Sequence, residues 1–412
     1  MLEEEAAFVG DEFAVFAAAL GLTPPWKVTE TTLSTQNKRF DIRVDFSRGG
    51  QFACPTCGVP TTAYDTREQT WRHLNFFQFA AYVTARVPRL DCPICGVKQV
   101  EVPWARLGSG FTLLFEALVM ALAREMPILA IAELVGEHDT RLWRVVHHYV
   151  EEARARADHS QVRQVGVDET ASRRGHNYIS IFVDLESRQM LFGTSGKDAT
   201  TVTAFTQDLD AHGGQSERVE SVACDMSPAF IKGVSQACPR AEITFDRFHI
   251  QKVVNEGVDQ VRREESREVA GLKKTRYVWL KNPAKLTSEQ RARIDELTRH
   301  NLKTSRAYQM KLTFQELFAE PDRAAGEAFL KRWYFWATHS RLEPMIKAAR
   351  TIKAHWNGVL NWFKSHVTTG LLEGINSLLQ AAKSRARGYR SDRTFIAMAY
   401  LIAGKLDFRL PT

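Results

Sequence analysis

Cysteine is scarce, with six in 412 residues, too few for the disulfide framework of a secreted scaffold. Long apolar runs are also missing near the start. The stretch from Phe13 to Leu22 is only about half the ~20 residues that a bilayer-spanning helix needs. Glu3, Glu4 and Glu5 precede it, where a secretory signal would carry Lys or Arg, so a cytosolic protein with no membrane partner is expected. No internal repeat and no low-complexity tract is present, which sets aside solenoids and biased linkers. Neither sign of charge dominates: 55 Lys and Arg against 48 Asp and Glu leave +7. With a pI near 9.1, a polyanion is the leading partner, although so modest a charge is weak evidence by itself. What the chain does have is 44% hydrophobic and 10% aromatic residues, enough to exclude global disorder. Its length suggests roughly two to four domains.

Four of the cysteines form two tight pairs, Cys54-Pro-Thr-Cys57-Gly and Cys92-Pro-Ile-Cys95-Gly. Each Cys-x-x-Cys turn lets two thiolates reach one ion, and the following Gly lets the backbone turn back. The two knuckles together predict one Zn²⁺ held by Cys54, Cys57, Cys92 and Cys95. Four thiolates fill the shell and leave no open position, so the ion is structural. The alternative is two unrelated redox or structural pairs. Strand-like text from Phe79 to Val87 lies between the pairs and supplies a hairpin. His73, also between them, reads as a surface or packing residue. Cys224 and Cys238 sit alone in apolar text as small buried hydrophobes.

A helical section follows. Phe111–Glu125 predicts a first helix ended by Met126-Pro127, Ile128–Val135 a second, Gly136 to Asp139 a turn, and Thr140–Ala157 a third with Leu142, Val145 and Val146 inward. Short helix, Gly-containing turn and longer helix match a helix-turn-helix, whose last helix enters the major groove by its N-terminal end. Thr140, Arg141, Trp143 and Arg144 would then meet bases or phosphates. An ordinary three-helix packing unit is the competing reading, and the neighbouring zinc module favours DNA.

From Val162 short apolar strands alternate with helices. Val162–Val167 predicts a strand ending at Asp168-Glu169, with Tyr178–Leu185 and Met190–Thr194 as antiparallel partners. A helix at Thr201–His212, a strand Val219–Cys224 ending at Asp225, a helix Pro228–Ala237 and a strand Ile243–Phe245 complete the set. This is the element order of a ribonuclease H-like fold, in which the first and fourth strands are neighbours and bring Asp168 and Asp225 together. Holding two hard cations needs a third acid, since Mg²⁺ prefers oxygen ligands. Glu373, opening a helix that runs through Arg385, is the candidate, with Asn376 one turn on to orient it. Two ions about 3.5–4 Å apart suit phosphodiester displacement. Lys383, Arg385, Arg387 and Arg390 suit phosphate contact. Glu169, Asp184 and Asp246 are rival acids.

The two Cys-Pro-x-Cys-Gly knuckles, Val165-Gly166-Val167-Asp168-Glu169 and Cys224-Asp225-Met226-Ser227-Pro228-Ala229-Phe230 occur in one order. Phe245-Asp246-Arg247-Phe248-His249 and the segment from Glu373-Gly374-Ile375-Asn376 to Arg387-Gly388-Tyr389-Arg390 follow. On these motifs the chain, from about Cys54 to Tyr389, resembles a bacterial insertion-sequence transposase of the ISL-three type. The resemblance implies a DDE catalytic domain with Asp168, Asp225 and Glu373 as its acidic triad. It also implies Mg²⁺-dependent strand cleavage and strand transfer, with Mn²⁺ able to replace Mg²⁺, and terminal inverted repeats as the substrate. His249 is similar to a family histidine just after the fifth strand and would assist near the metals; a structural histidine is the competing reading. Double-stranded DNA, as element end and as target, is the implied partner, with a homodimer on DNA and nucleoid association following from it.

Glu373 lies 148 residues after Asp225, much farther than a minimal ribonuclease H fold requires, and a helical insertion from Gln251 to about Thr369 accounts for the gap. Lys273 to Lys311 carries 11 Lys or Arg against three acids. Interleaved Tyr277, Trp279 and Tyr308 would stack on unpaired bases, unless the run is simply a solvated face. Trp333, Tyr334, Phe335 and Trp336 read as core. The expected fold is therefore multidomain α/β. An N-terminal region (1–50), a zinc-ribbon-like module (51–106) and a helix-turn-helix domain (107–160) precede the ribonuclease H-like core (161–250 and 370–412), which the insertion (251–369) divides. Two alternatives stand beside the transposase: a zinc and helix-turn-helix DNA-binding regulator that no longer cuts, and a structure-selective nuclease that cuts without joining.

Overall fold

The fold is described from a computed structural model and covers residues 13–366 and 370–411. The chain divides into two compact units, Met1–Ala153 with Asp407–Thr412, and Arg154–Leu406. In the first, a short helix α1 (Ala14–Ala19) precedes six strands: β1 (Trp26–Ser34), β2 (Arg39–Phe46), β3 (Gln51–Ala53), β4 (Pro60–Phe76), β5 (Phe79–Cys92) and β6 (Gly96–Gln99). They form one sheet ordered β1-β2-β5-β4-β3, with β6 also paired to β5. Residues 26–46, read from sequence as a separate N-terminal region, thus join the sheet of the cysteine hairpin through parallel pairing of β2 with β5. Alternation drives this union: Phe40, Ile42 and Val44 are buried, as are Val83, Ala85 and Val87, so each strand has an apolar face to cover. Trp26 and Trp71 each meet Trp104 edge-on, at 5.0 and 5.6 Å between centroids.

Three helices follow, α2 (Leu113–Glu125), α3 (Ile128–Val135) and α4 (Asp139–Ala155). Helix α2 starts two residues later than the periodicity suggests because Thr112 caps it, its hydroxyl accepting from the Phe115 N–H. Glu116, fully buried on α2, accepts from Arg106, Ser109 and the Tyr149 hydroxyl. A buried carboxylate is tolerable only when it is satisfied in this way.

The second unit is built on β7 (Gln164–Arg173), β8 (Asn177–Asp184), β9 (Gln189–Ser195), β10 (Ser221–Cys224) and β11 (Glu242–Phe245), ordered β11-β10-β7-β8-β9. Helix α5 (Ala199–Ala211) connects β9 to β10, and α6 (Pro228–Ala237) connects β10 to β11. The first strand does not end at Asp168 as expected. Antiparallel pairing with β8 carries β7 on to Arg173, whereas parallel pairing with β10 stops at Gly166. Val165 and Val167 enter the core shared with Val202, Phe205, Leu209 and Val234, leaving Gly166 and Asp168 on the other face.

Helix α7 (Arg247–Glu265) runs on without a break from β11 into the insertion. It is followed by α8 (Arg276–Leu280), α9 (Ser288–Thr298), α10 (Lys303–Glu316), α11 (Arg323–Thr338), α12 (Glu343–Ala354), α13 (Trp356–Leu360) and α14 (Trp362–Ser365). These helices share one apolar core with the sheet. Three expectations fail here, wholly or in part. Trp279 and Tyr308 are buried and pack edge-on at 5.3 Å, so neither is available to stack on a base; Tyr277 alone of that trio is exposed. Lys311, read as part of a basic face, is buried and donates to the carbonyls of Trp279, Leu280 and Lys281, which closes the C-terminal end of α8. Of the four aromatics at 333–336, Trp333 is core, while Phe335 and Trp336 are exposed. Helices α15 (Gly370–Arg385) and α16 (Asp392–Ala403) end the unit. Among the described residues, no helix is long and apolar enough to cross a membrane.

Candidate functional site

In the parallel register Gly166 is opposite Ala223, so Asp168 and Asp225 occupy equivalent positions two residues farther along neighbouring strands, just beyond the last ladder pair. The carboxyl edge of parallel strands is where an open α/β sheet forms its crevice. Each acid is held by main chain: Asp168 Oδ1 accepts from the Glu169 N–H at 2.8 Å and Asp225 Oδ1 from the Ser227 N–H at 2.9 Å. Helix α15 lies directly over β7 because Gly166 has no side chain. A Cβ there would come within 3.1 Å of both Leu372 methyls and 2.8 Å of Leu185 Cδ2. One turn beyond Leu372, Asn376 donates from Nδ2 to Asp168 Oδ2 at 2.6 Å. Asn376, expected to orient Glu373, therefore orients Asp168.

Burial pushes the Asp168 carboxyl up to about 6, and the charges of Asp225 and Asp246 add to the rise. Glu169 is also raised by burial, with Lys197 at 3.8 Å opposing it. Against these acids stands His249, whose Nδ1 is 2.7 Å from Asp246 Oδ2. That bond, together with the Asp168 and Asp225 charges, holds its imidazole above the ordinary histidine value. Asp246, one of the rival acids, is thus the partner of His249 and the N-cap of α7 through the Phe248 N–H. Asp184, another rival, caps the turn after β8 by accepting from the Glu186 and Ser187 N–H groups. The i, i+3 spacing of Asp246 and His249 was visible in the sequence, but not which of several acids the histidine would meet.

Crowded carboxylates with one partial counter-charge fit a divalent cation. They also predict a stability effect. Asp168 binds its proton more tightly in the folded chain than in the unfolded one, so its ionisation costs stability as pH rises from about 4 to about 6. In metal-free protein Asp168→Asn is expected to raise stability at pH 7 by on the order of 2 kcal/mol and to leave it unchanged at pH 4. Any rise in melting temperature that a divalent cation gives the wild type is expected to be lost in the variant. Thermal melts at both pH values, with and without Mg²⁺, check this.

Glu373 is exposed on α15, one turn before Asn376 and on the same side of the helix. Among the described residues, ligand atoms of three or more His, Cys, Asp or Glu side chains lie within 4.8 Å of one another at two places, and the Asp168, Asp225 and Glu373 group is not one of them. The fold therefore brings Asp168, Asp225 and His249 into mutual electrostatic contact and sets Glu373 on the adjoining helix turn. Lys383 donates to the Ala171 carbonyl, whereas Arg385, Arg387 and Arg390 are exposed. Sequence reasoning missed Gln380, which ties α15 to β7 through Thr170 and Ala171.

The four cysteines Cys54, Cys57, Cys92 and Cys95 are one of the two close groups. Cys57 and Cys92 Sγ are 3.5 Å apart, near the separation of two thiolates on a shared tetrahedral ion with Zn–S about 2.3 Å. The N–H groups of Thr56 and Cys57 lower the Cys54 thiol to about 6, while the neighbouring thiols push Cys95 up to about 12. Four thiols so placed cannot all ionise without a cation among them, and the donor set suits zinc. Gly58 and Gly96 close the knuckles at φ +76° and +68° with open space around them, so left-handed backbone is what these positions require. His73, between the pairs, is a packing residue: Nδ1 lies 2.8 Å from the Thr112 hydroxyl, and burial lowers the imidazole to about 4.

In the helix-turn-helix, Leu142, Val145 and Val146 are buried as expected. Thr140 and Arg144 are exposed and Trp143 is half-buried. Arg141 is turned into the fold: it pairs with Glu137 at 2.5 Å, reaches the Gly110 carbonyl and covers the Phe111 ring at 4.4 Å.

Three family models match along the chain. One described as a zinc-finger of transposase IS204/IS1001/IS1096/IS1165 covers residues 50–95, and one described as a helix-turn-helix domain of transposase family ISL3 covers 100–150. The third, described as a transposase of the DDE, ISL3 type, covers 165–399. The chain is similar to the transposase for insertion sequence element IS1557 of Mycobacterium tuberculosis, 27% identical over 84% of this chain and 85% of that protein. It is also similar to the transposase for insertion sequence element IS1001 of Bordetella parapertussis, 26% identical over 83% and 86%. With more than half of its length matched by the third model, and the zinc module and DNA-binding helices in the order that the other two describe, the chain belongs to the ISL3 family of insertion-sequence transposases.

Proposed function

We propose that this chain binds the terminal inverted repeats of an insertion sequence and catalyses Mg²⁺-dependent strand cleavage and strand transfer, with Asp168, Asp225 and Glu373 as metal ligands. The observation that carries the reading is the register of β7 on β10, which gives Asp168 and Asp225 matching positions beside the Asn376 turn of α15. Bound there, two Mg²⁺ would supply Lewis-acid activation of the attacking oxygen and stabilisation of the leaving one. The chain's own residues do the rest. Asn376 and the Glu169 N–H hold Asp168 in one orientation, and the Ser227 N–H does the same for Asp225. His249, anchored at Nδ1 by Asp246, leaves Nε2 as the atom that can exchange a proton with a reacting oxygen. Water is the first nucleophile and the freed 3′-hydroxyl the second. Two ends held together require two copies of the chain, which supports a homodimer on DNA.

The test is a labelled inverted-repeat end incubated with purified protein and Mg²⁺. Nicking followed by end-joining is expected. Binding without cutting would make the protein a regulator, and cutting without joining a nuclease.

For end recognition, the N-terminal turn of α4 is the reading element, with Thr140, Trp143 and Arg144 toward the groove; Lys383, Arg387 and Arg390 would meet backbone phosphates. Arg141 and Arg144 of α4 should then behave differently. Arg144→Ala is expected to weaken end binding and to reduce the salt dependence by about one phosphate contact, with no change in melting temperature. Arg141→Ala, which breaks the Glu137 pair and uncovers Phe111, is expected to lower the melting temperature. Salt titrations of binding and thermal melts of both variants check the split.

A further inference from the structure

The second close group of ligand atoms belongs to His159, Asp208 and His212, which the sequence reading did not single out. His159 sits between α4 and β7 and is 4% exposed, yet neither ring nitrogen has a hydrogen-bond partner. A neutral imidazole has one N–H and one lone pair, and leaving both unmet in the interior is costly. Its ring lies 5.1 Å from that of His212, with the planes inclined at 39°. His212 is the C-cap of α5, and Asp208 is one turn earlier on the same helix.

Main chain sets the two histidines in place, since the His159 N–H donates to the His212 carbonyl at 2.8 Å. His212 Nδ1 lies 2.7 Å from the Asp208 carbonyl oxygen. A ligating histidine characteristically gives its second N–H to a carbonyl in this way, which fixes the tautomer and leaves the Nε2 lone pair for a metal. The Asp208 carboxylate is itself oriented by Arg154, at 2.8 and 2.7 Å. Its remaining lone pairs stay available, although the guanidinium charge makes the site weaker than one built from thiolates.

We infer that His159, Asp208 and His212 form a second metal site for a first-row divalent ion of the Zn²⁺ type, separate from the four cysteines and from the acidic cluster. Two imidazoles and one carboxylate suit zinc or cobalt, whereas Mg²⁺ selects oxygen donors. One ligand atom from each residue lies within 4.8 Å of the others, so small side-chain rotations bring the three onto one ion. The metal would occupy the lone pair that His159 leaves unmet and would fasten the segment leading into β7 to the end of α5. Because β7 carries Asp168, the site supports the acidic cluster without touching it.

The experiment is Co²⁺ loading of stripped full-length protein in excess Mg²⁺, followed by desalting and elemental analysis. Wild type is expected to hold one more equivalent than His212→Ala, and both should show the thiolate-to-cobalt absorption of the cysteine site. Cys57→Ser should lose that absorption and keep the equivalent that His212→Ala lacks. His159→Phe refills the buried volume without a nitrogen and should lose the same equivalent as His212→Ala. Equal cobalt in wild type, His212→Ala and His159→Phe would overturn the assignment. If Cys57→Ser does not fold, the comparison of wild type with the two histidine variants still decides.

Discussion

Asp225→Ala is expected to abolish nicking and joining of an element end, by about 10³-fold or more, while leaving end binding intact. A metal pair supplies several kcal/mol of charge stabilisation in phosphodiester displacement, and each ~1.4 kcal/mol lost is tenfold in rate, so removing a ligand costs orders of magnitude. The structural cost is small by comparison. Asp225 leaves the sheet after β10, and its side chain accepts one N–H, that of Ser227, just ahead of α6. Losing one such local bond costs about 1 kcal/mol, which a melting curve would register as a modest shift. The core beneath it, Val222, Ala223 and Phe230, does not involve the carboxylate. Retained binding is expected because Thr140 and Arg144 lie in the other compact unit. Asp225→Asn keeps an acceptor for the Ser227 N–H and should fail as completely, which separates ligand loss from cap loss. Wild-type cutting rates in either variant would remove the acidic cluster from the chemistry.

The strands β7 to β11 were legible because they are short and carry nearly continuous apolar runs, as in β8 and β10. Pairing partners decided what was not. Asp168 read as a strand end because the apolar run stops at Val167, yet β8 continues to pair as far as Arg173. The functional boundary is where β10 departs, at Gly166, and that edge has no local signature. In the insertion, Trp279 and Tyr308 looked solvent-facing among so many Lys and Arg. Composition could not show that Lys311 would be buried on three carbonyls at the C-terminal end of α8, those of Trp279, Leu280 and Lys281. Asn376 was placed on the right helix turn, but its partner Asp168 is 208 residues away, a distance that periodicity cannot bridge. The two cysteine knuckles were legible because Cys-x-x-Cys spacing and turn chemistry are both local, and the structure groups their four sulfurs. The membership of β1 and β2 in the same sheet was not, since parallel pairing of β2 with β5 is a long-range choice made by two apolar faces.

That same sheet sets the expected result of removing zinc. Metal binding contributes on the order of 10 kcal/mol to the folding of isolated zinc-finger peptides, which are unfolded without it. Here the sheet has an apolar core of its own, with Ile42, Val44, Trp71, Val83 and Trp104 all buried, so the loss should be confined to the knuckle end. Chelation, or Cys57→Ser, is expected to release the cysteine-bound zinc and to open the amides of residues 51–66 and 86–99 to hydrogen exchange. Amides around Ile42 and Val83 should stay protected. The helix-turn-helix should stay folded too, because its mounting on β4 is remote from the cysteines. The Arg72 N–H donates to the Gly110 carbonyl, the Thr112 N–H donates back to Arg72, and the Arg72 guanidinium reaches the Val135 carbonyl. End binding should weaken by roughly tenfold, about 1.4 kcal/mol, through loss of the ordered knuckle surface, with α4 still able to engage DNA. Full zinc content at the cysteines in Cys57→Ser would show that the four thiolates do not share one ion. Global unfolding on chelation would show that the tryptophan core depends on the metal after all.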